Sequence, residues 1–239
     1  MKQKIQEVYP NATTREAISN EILESLSAHG RFDPERTLWA TSDCSDEVNR
    51  STARFQKELH IDNAFQLGGL AGYPFTGETG FRAFASHIPE NGAAILLYGP
   101  HIGISKAGRV GFMKRIGQNQ ETTCCGALHG TLSRFSSGEA TLPDPDMDHQ
   151  MWYIANALQD QKEEILSGSS PIVQITDQMY RLIDEGMDRL LTSAHDAFGE
   201  ANVALVGGIF INRDHGDEDW FDLRRFDVVA PDGSRTNLK

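Results

Sequence analysis

Residues 92–100 read GAAILLYGP. Six apolar residues in a row, closed by Gly92 on one side and by Gly99 and Pro100 on the other, are too short for a buried helix. They suit a strand covered on both faces, as in a parallel sheet. Two shorter strand-like runs precede it, TLWATS (37–42) and NAFQLGG (63–69). Between the three runs lie SDEVNRSTARFQKELH (45–60), read as a helix, and TGFRAFASHI (79–88), a short helix stopped by Pro89. Upstream, Thr14 opens TREAISNEILESLSAHG, with Ile18, Ile22, Leu23 and Leu26 at helical spacing and Gly30 as the stop. Strands alternating with helices predict an α/β fold, a mostly parallel central sheet flanked by helices.

Downstream, RVGFMKRIG (109–117) reads as a further strand and GALHGTLSRF (126–135) as a helix. SSGEATLPDPDMDHQ (136–150) is a loop by composition. Helical patterns follow over roughly 146–166 and 171–197. NVALVGGIFINR (202–213) and WFDLRRFDVVAP (220–231) then read as two strands, expected as an antiparallel pair. The chain of 239 residues is read as one domain: an N-terminal helix over 13–30, a core over 35–135 that holds the chemistry, and a helical and β C-terminal part over 145–230 that supplies packing and a dimerisation surface.

The charge balance is acidic, with 22 Lys and Arg against 34 Asp and Glu, a net charge of −12. Nucleic acid and anionic membranes need basic patches, so neither is expected as a partner. No apolar run reaches membrane-spanning length, and the polar start lacks the apolar centre of a signal peptide. Three cysteines, two of them adjacent, make a poor disulfide framework and fit a reducing compartment. A cytoplasmic protein is expected, or one of an organelle stroma if a targeting segment has been trimmed.

In a parallel sheet ligands bind beyond the carboxyl ends of the strands. Cys44 follows the run 37–42 and His101 follows the run 93–98, so both are expected at that edge. Cys124 and Cys125 precede a helix in TTCCGALHG. Thiolate and imidazole are zinc ligands, and a catalytic zinc takes three of them and leaves a position for water. Cys44, His101 and either Cys124 or Cys125 would supply such a set. Asp46 and Arg50, four apart at the start of the expected helix, share a face and can pair. A carboxylate so held beside a metal can accept a hydrogen bond from bound water. Ordinary packing cysteines and a surface ion pair account for the same residues more simply. A thiol-redox site at Cys124 and Cys125 is a third reading, with no basic residue close in sequence to lower their pKa.

Cys44, Asp46 and Arg50 after a first strand, then His101, then Cys-Gly-Ala at a helix start, resemble the β-type carbonic anhydrases. The likeness is closer to the limiting-CO2-inducible protein B family, the θ-type carbonic anhydrases. It is carried by LGGLAGYPFTGETGFRAFASHIP (67–89), YGPHIGI (98–104) and CCGA (124–127), and it runs from about residue 13 to residue 215. The resemblance implies a Rossmann-like, β-carbonic-anhydrase-like fold, a Zn2+ cofactor on Cys44, His101 and Cys125, CO2 and bicarbonate as substrates, and a homodimer. It implies that Asp46 orients a zinc hydroxide that attacks CO2 and that Arg50 fixes Asp46. Leu67, Tyr73, Phe75 and Phe81 are expected to wall an apolar CO2 pocket, and Arg82 stands where a small residue would be looked for. The alternative within the family is a catalytically silent zinc protein that binds rather than converts inorganic carbon. GYPFTGET (72–79) nearly spells a phosphate-binding loop, but Glu78 stands where that motif needs lysine, and its charge would repel phosphates.

Overall fold

A computed structural model describes residues 2–51, 64–138 and 142–239, with the side chains of residues 50 and 51 left aside. In chain order it contains α1 (Lys2–Val8), β1 (Thr13–Thr14), α2 (Arg15–His29), β2 (Thr37–Ser42), β3 (Phe65–Gln66), α3 (Gly77–Ser86), β4 (Ala93–Tyr98) and β5 (His101–Gly103). Then come β6 (Phe112–Met113), β7 (Thr122–Thr123), α4 (Gly126–Ser137), α5 (His149–Ala157), α6 (Lys162–Ser167), α7 (Pro171–Ser193) and α8 (His195–Phe198). The chain closes with β8 (Asn202–Asn212), β9 (Trp220–Val229) and β10 (Arg235–Asn237).

The apolar run 92–100 lies at the centre of the molecule. β4 is buried at every position and pairs in parallel with β2 on one side and β8 on the other. Its side chains alternate between two cores, as the pleat requires. Ile95 and Leu97 join Ile18, Ile22 and Leu26 of α2 on one face. Ala94, Leu96 and Tyr98 join α3 and the helices from α4 to α8 on the other. The sheet order is β1-β9-β8-β4-β2-β3, parallel from β8 to β3. β9 adds antiparallel to β8, the pairing expected of the last two long strands, and β1 and β10 both add antiparallel to β9.

Several local expectations need correction. The strand expected over 109–117 shrinks to Phe112–Met113, which forms a small hairpin with Thr122–Thr123 apart from the main sheet. Gly111 and Gly117, both at positive φ, bound it on either side. The helical pattern 146–166 is divided by a 3-10 turn over Gln159–Gln161, and the pattern 171–197 breaks at Ala194. Glu47–Ser51 forms a 3-10 turn, and the rest of the helix expected over 45–60 lies outside the described residues. Among the described residues no helix is long and apolar enough to cross a membrane.

One step positions the site. After Tyr98 the chain crosses the bulge of β8 at Gly207 and Gly208, then pairs with the far end of β8 as β5, with His101 opposite Phe210. Gly99 makes the crossing at φ +153°, and a Cβ there would stand 1.7 Å from the Gly208 carbonyl oxygen. Backbone meets backbone at this point, so no side chain can swing away to relieve the clash. Gly99→Ala is therefore expected to cost about 4 kcal/mol or more, read as a fall in the denaturation midpoint. An unchanged midpoint would show that the crossing is not the tight contact described.

Candidate metal centre

The three sequence-derived ligands come from three separate elements that the sheet gathers at one edge. Cys44 lies two residues beyond β2, His101 opens β5, and Cys125 is the N-cap of α4. All three are buried, and one ligand atom from each lies within 4.8 Å of the others. The sulfurs of Cys44 and Cys125 are 3.9 Å apart. Two sulfurs bound to one zinc at about 2.3 Å in a tetrahedron would stand about 3.8 Å apart.

His101 is wholly buried, and the two nitrogens of its ring face different partners. Nδ1 lies 2.8 Å from Oδ1 of Asn212, near the end of β8. An amide oxygen only accepts, so Nδ1 carries a proton and donates, which makes Nε2 the nitrogen that can give up its proton and bind a cation. Nε2 is buried without a hydrogen-bond partner among the described residues. An unsatisfied buried nitrogen of this kind is costly unless a ligand fills it. Cys124 is on the other side of the ring, with its sulfur 3.4 Å from Nδ1 and 3.8 Å from Asn212 Oδ1. The orphaned nitrogen, the sulfur spacing and the donor chemistry together fit a thiophilic ion such as zinc.

The electrostatics agree. The hydrogen bond with Cys125 pushes the Cys44 pKa down to about 4, with the charge of His101 helping against burial. The same hydrogen bond, with burial, pushes Cys125 up. The two thiols thus hold one proton between them and one thiolate, next to an imidazole. Burial alone would keep His101 neutral, but the nearby sulfurs of Cys125, Cys124 and Cys44 raise its pKa overall. A divalent cation bound there would displace these protons and take over as the balancing charge.

The glycine-rich stretch works as a backbone clamp on this cluster. Ala71 N–H donates to the Cys44 sulfur at 3.1 Å, and Ser45 N–H donates to the Gly69 carbonyl. Gly72, at φ +85°, approaches so closely that a Cβ would lie 2.3 Å from the Gly99 carbonyl oxygen. Of the four expected pocket residues, Leu67 and Phe81 are wholly buried, and the Phe81 ring is 5.5 Å from that of Phe198 on α8. Tyr73 and Phe75 pack on each other and on Tyr153 of α5, with a Tyr153 to Tyr73 hydroxyl hydrogen bond of 2.5 Å. Arg82 is in a surface clamp with Glu78, Asp196 and the Ser193 carbonyl.

Asp46 lies beside the cluster, its Oδ2 3.9 Å from His101 Nε2. Arg50, expected as its partner, has a side chain outside the described residues. The partner that is described is Arg115, whose Nη2 donates to Asp46 Oδ2 at 3.0 Å. Sequence reasoning missed Arg115 and Asn212. Arg115 sits inside the stretch read as a strand, and Asn212 in the part read as packing; no local pattern marks either. A cavity of about 280 Å³ opens next to the cluster, with Glu47, Val48, Arg115, Asn212, Arg213 and His215 in its wall.

A buried Cys-His-Cys cluster at the carboxyl edge of a parallel sheet defines an α/β protein with a candidate metal centre. The sequence profile of the limiting-CO2-inducible proteins B/C, β carbonic anhydrases, matches residues 12–230, and the chain belongs to that family. Among solved structures it is similar to PtLCIB4, a homolog of the limiting CO2-inducible protein LCIB, with 30% identity, a TM-score of 0.89 and 99% of each chain covered. The structure of limiting CO2-inducible protein LCIB itself shares the fold at 18% identity, with a TM-score of 0.69 over 98% of this chain and 96% of that one. No curated protein matches the chain in sequence.

Asn212 holds the ring of His101 in the orientation and tautomer that offer Nε2. Asn212→Ala is expected to weaken zinc binding by about 10- to 100-fold, measured by competition with a chromophoric chelator. Unaltered affinity would mean that the strand pairing of β5 alone fixes the ring.

Proposed function

We propose that the protein is a zinc-dependent carbonic anhydrase, with Cys44, His101 and Cys125 holding the metal. The observation that carries this reading is the orphaned Nε2 of His101, buried and turned toward the two paired sulfurs of a chain in a carbonic anhydrase family. Zinc held there supplies Lewis acidity that lets water react as hydroxide near neutral pH.

The chain's own residues do the rest. Asp46 is too far from His101 for a hydrogen bond yet close enough to face the same space. Its carboxylate only accepts, so it accepts a hydrogen bond from the O–H of the reacting water or hydroxide and turns an oxygen lone pair toward CO2. Arg50 is the residue the family likeness assigns to hold Asp46. CO2 docks on apolar surface offered by the glycine-rich loop, with Leu67 at its head and Tyr73, Phe75 and Phe81 fixing the loop through their packing. The carbon of CO2 gains the hydroxide, bicarbonate leaves through the adjoining cavity, and the proton passes to buffer. We further propose a homodimer. Ile116 on the cavity rim is 71% exposed, an apolar residue of the kind a second copy would cover. A monomer by light scattering at micromolar concentration would overturn that assignment.

The test joins metal analysis to stopped-flow CO2 hydration on the same sample. Wild-type protein is expected to hold about one zinc per chain, Cys125→Ser to lose it and Cys124→Ser to keep it. Asp46→Asn should keep the zinc and slow hydration by about 10²-fold, the usual size for losing a group that acts in the transition state. Full zinc without hydration in the wild type would instead identify a silent, carbon-binding member of the family. Full rate in Asp46→Asn would remove Asp46 from the mechanism.

A further inference from the structure

Arg115 touches both segments that carry thiol ligands. Its Nη2 donates to Asp46 Oδ2 at 3.0 Å and to the Thr123 carbonyl at 3.1 Å, and its Nε lies 3.4 Å from Glu47 Oε1. Asp46 is two residues past Cys44, and Thr123 directly precedes the Cys124-Cys125 pair. One guanidinium thus bridges the loop after β2 to the strand that leads into α4. The planar fork of arginine suits this, because its donors diverge at fixed angles.

The carboxylate of Asp46 is constrained at both oxygens. Oδ1 accepts from Val48 N–H at 3.3 Å, a local turn that sets the plane of the group. Oδ2 accepts from Arg115 and has a second lone pair, and this same oxygen is the one 3.9 Å from His101 Nε2. The Asp46 and Arg115 side chains are only 12% and 15% exposed, so solvent screens the pair weakly. A surface pair would leave Asp46 free to turn, whereas this one does not.

We propose that Arg115, arriving from the β6–β7 hairpin 69 residues further along the chain, is the positioning residue for Asp46. It aims Oδ2 at the space in front of the ligand cluster and keeps that oxygen from collapsing onto the metal. The inference deepens the carbonic anhydrase reading and rests on it for its kinetic consequence, while its geometric consequence stands without turnover.

The experiment uses the full chain loaded with zinc for kinetics and with Co2+ for visible spectra, in Arg115→Gln, Arg115→Lys, Arg50→Gln, Asp46→Asn and the double variant Arg115→Gln with Asp46→Asn. Arg115→Gln is expected to lower kcat by about 10- to 100-fold with little change in KM, and Arg115→Lys to recover part of it. The Co2+ absorption of Arg115→Gln should shift as Asp46 enters the metal's ligand set, and the shift should vanish in the double variant. If Arg115 acts through Asp46, the double variant is no slower than Asp46→Asn alone. A brace that only holds the fold would add its loss to that of Asp46→Asn, and that result overturns the proposal. So does a wild-type spectrum in Arg115→Gln, or a larger loss in Arg50→Gln than in Arg115→Gln. If the wild type binds metal but hydrates no CO2, the carbonic anhydrase reading falls, and the Co2+ spectra alone decide for or against Arg115.

Discussion

An imidazole sealed in the protein interior, with one nitrogen bound to an amide oxygen and the other facing two sulfurs, is the constraint around which the rest is arranged. His101 cannot turn, because Asn212 holds Nδ1 and Cys124 fills the space beside it. It cannot be solvated, because it is wholly buried. Nε2 is thus left facing the cluster with no hydrogen-bond partner among the described residues. The fold supplies the geometry for this by bending the chain over Gly208 between β4 and β5, so that the ring belongs to the same strand ladder as its partner Asn212.

The cysteines show how such a site stays ready. Cys44 is held by a backbone N–H from Ala71 and by the proton it shares with Cys125, which sits at a helix N-terminus. These interactions favour negative charge at sulfur before any cation is present. The protein as a whole carries a net charge of −12, and the arginine beside the cluster, Arg115, is paired with Asp46 and Glu47.

Much of this could be read from the chain. The run 92–100 marks the central strand, and the short polar turns after 37–42 and 93–98 place Cys44 and His101 at one edge. Those readings work because burial of a parallel strand leaves a direct mark on composition. Asn212 and Arg115 leave no such mark. Asn212 matters only because β8 runs past its bulge to meet β5, a pairing between segments 111 residues apart. Arg115 matters only because the loop between two paired two-residue strands carries it back to Asp46, and strands that short carry almost no hydrophobic pattern. The resemblance pointed to an arginine four residues from Asp46; the interaction the structure describes is made by one 69 residues away.

β8 is the second-to-last long strand in sequence yet lies between β4 and β9 in space, and it also carries β5. A nascent chain that has emerged only as far as residue 201 has every cysteine, His101 and Asp46, but no strand to receive β5 and no Asn212. The ligand residues are thus made early and assembled late, after more than four-fifths of the polypeptide exists. Any cation that needs all three side chains would find its site only after the last strands close, and until then the thiols of the growing chain stay exposed.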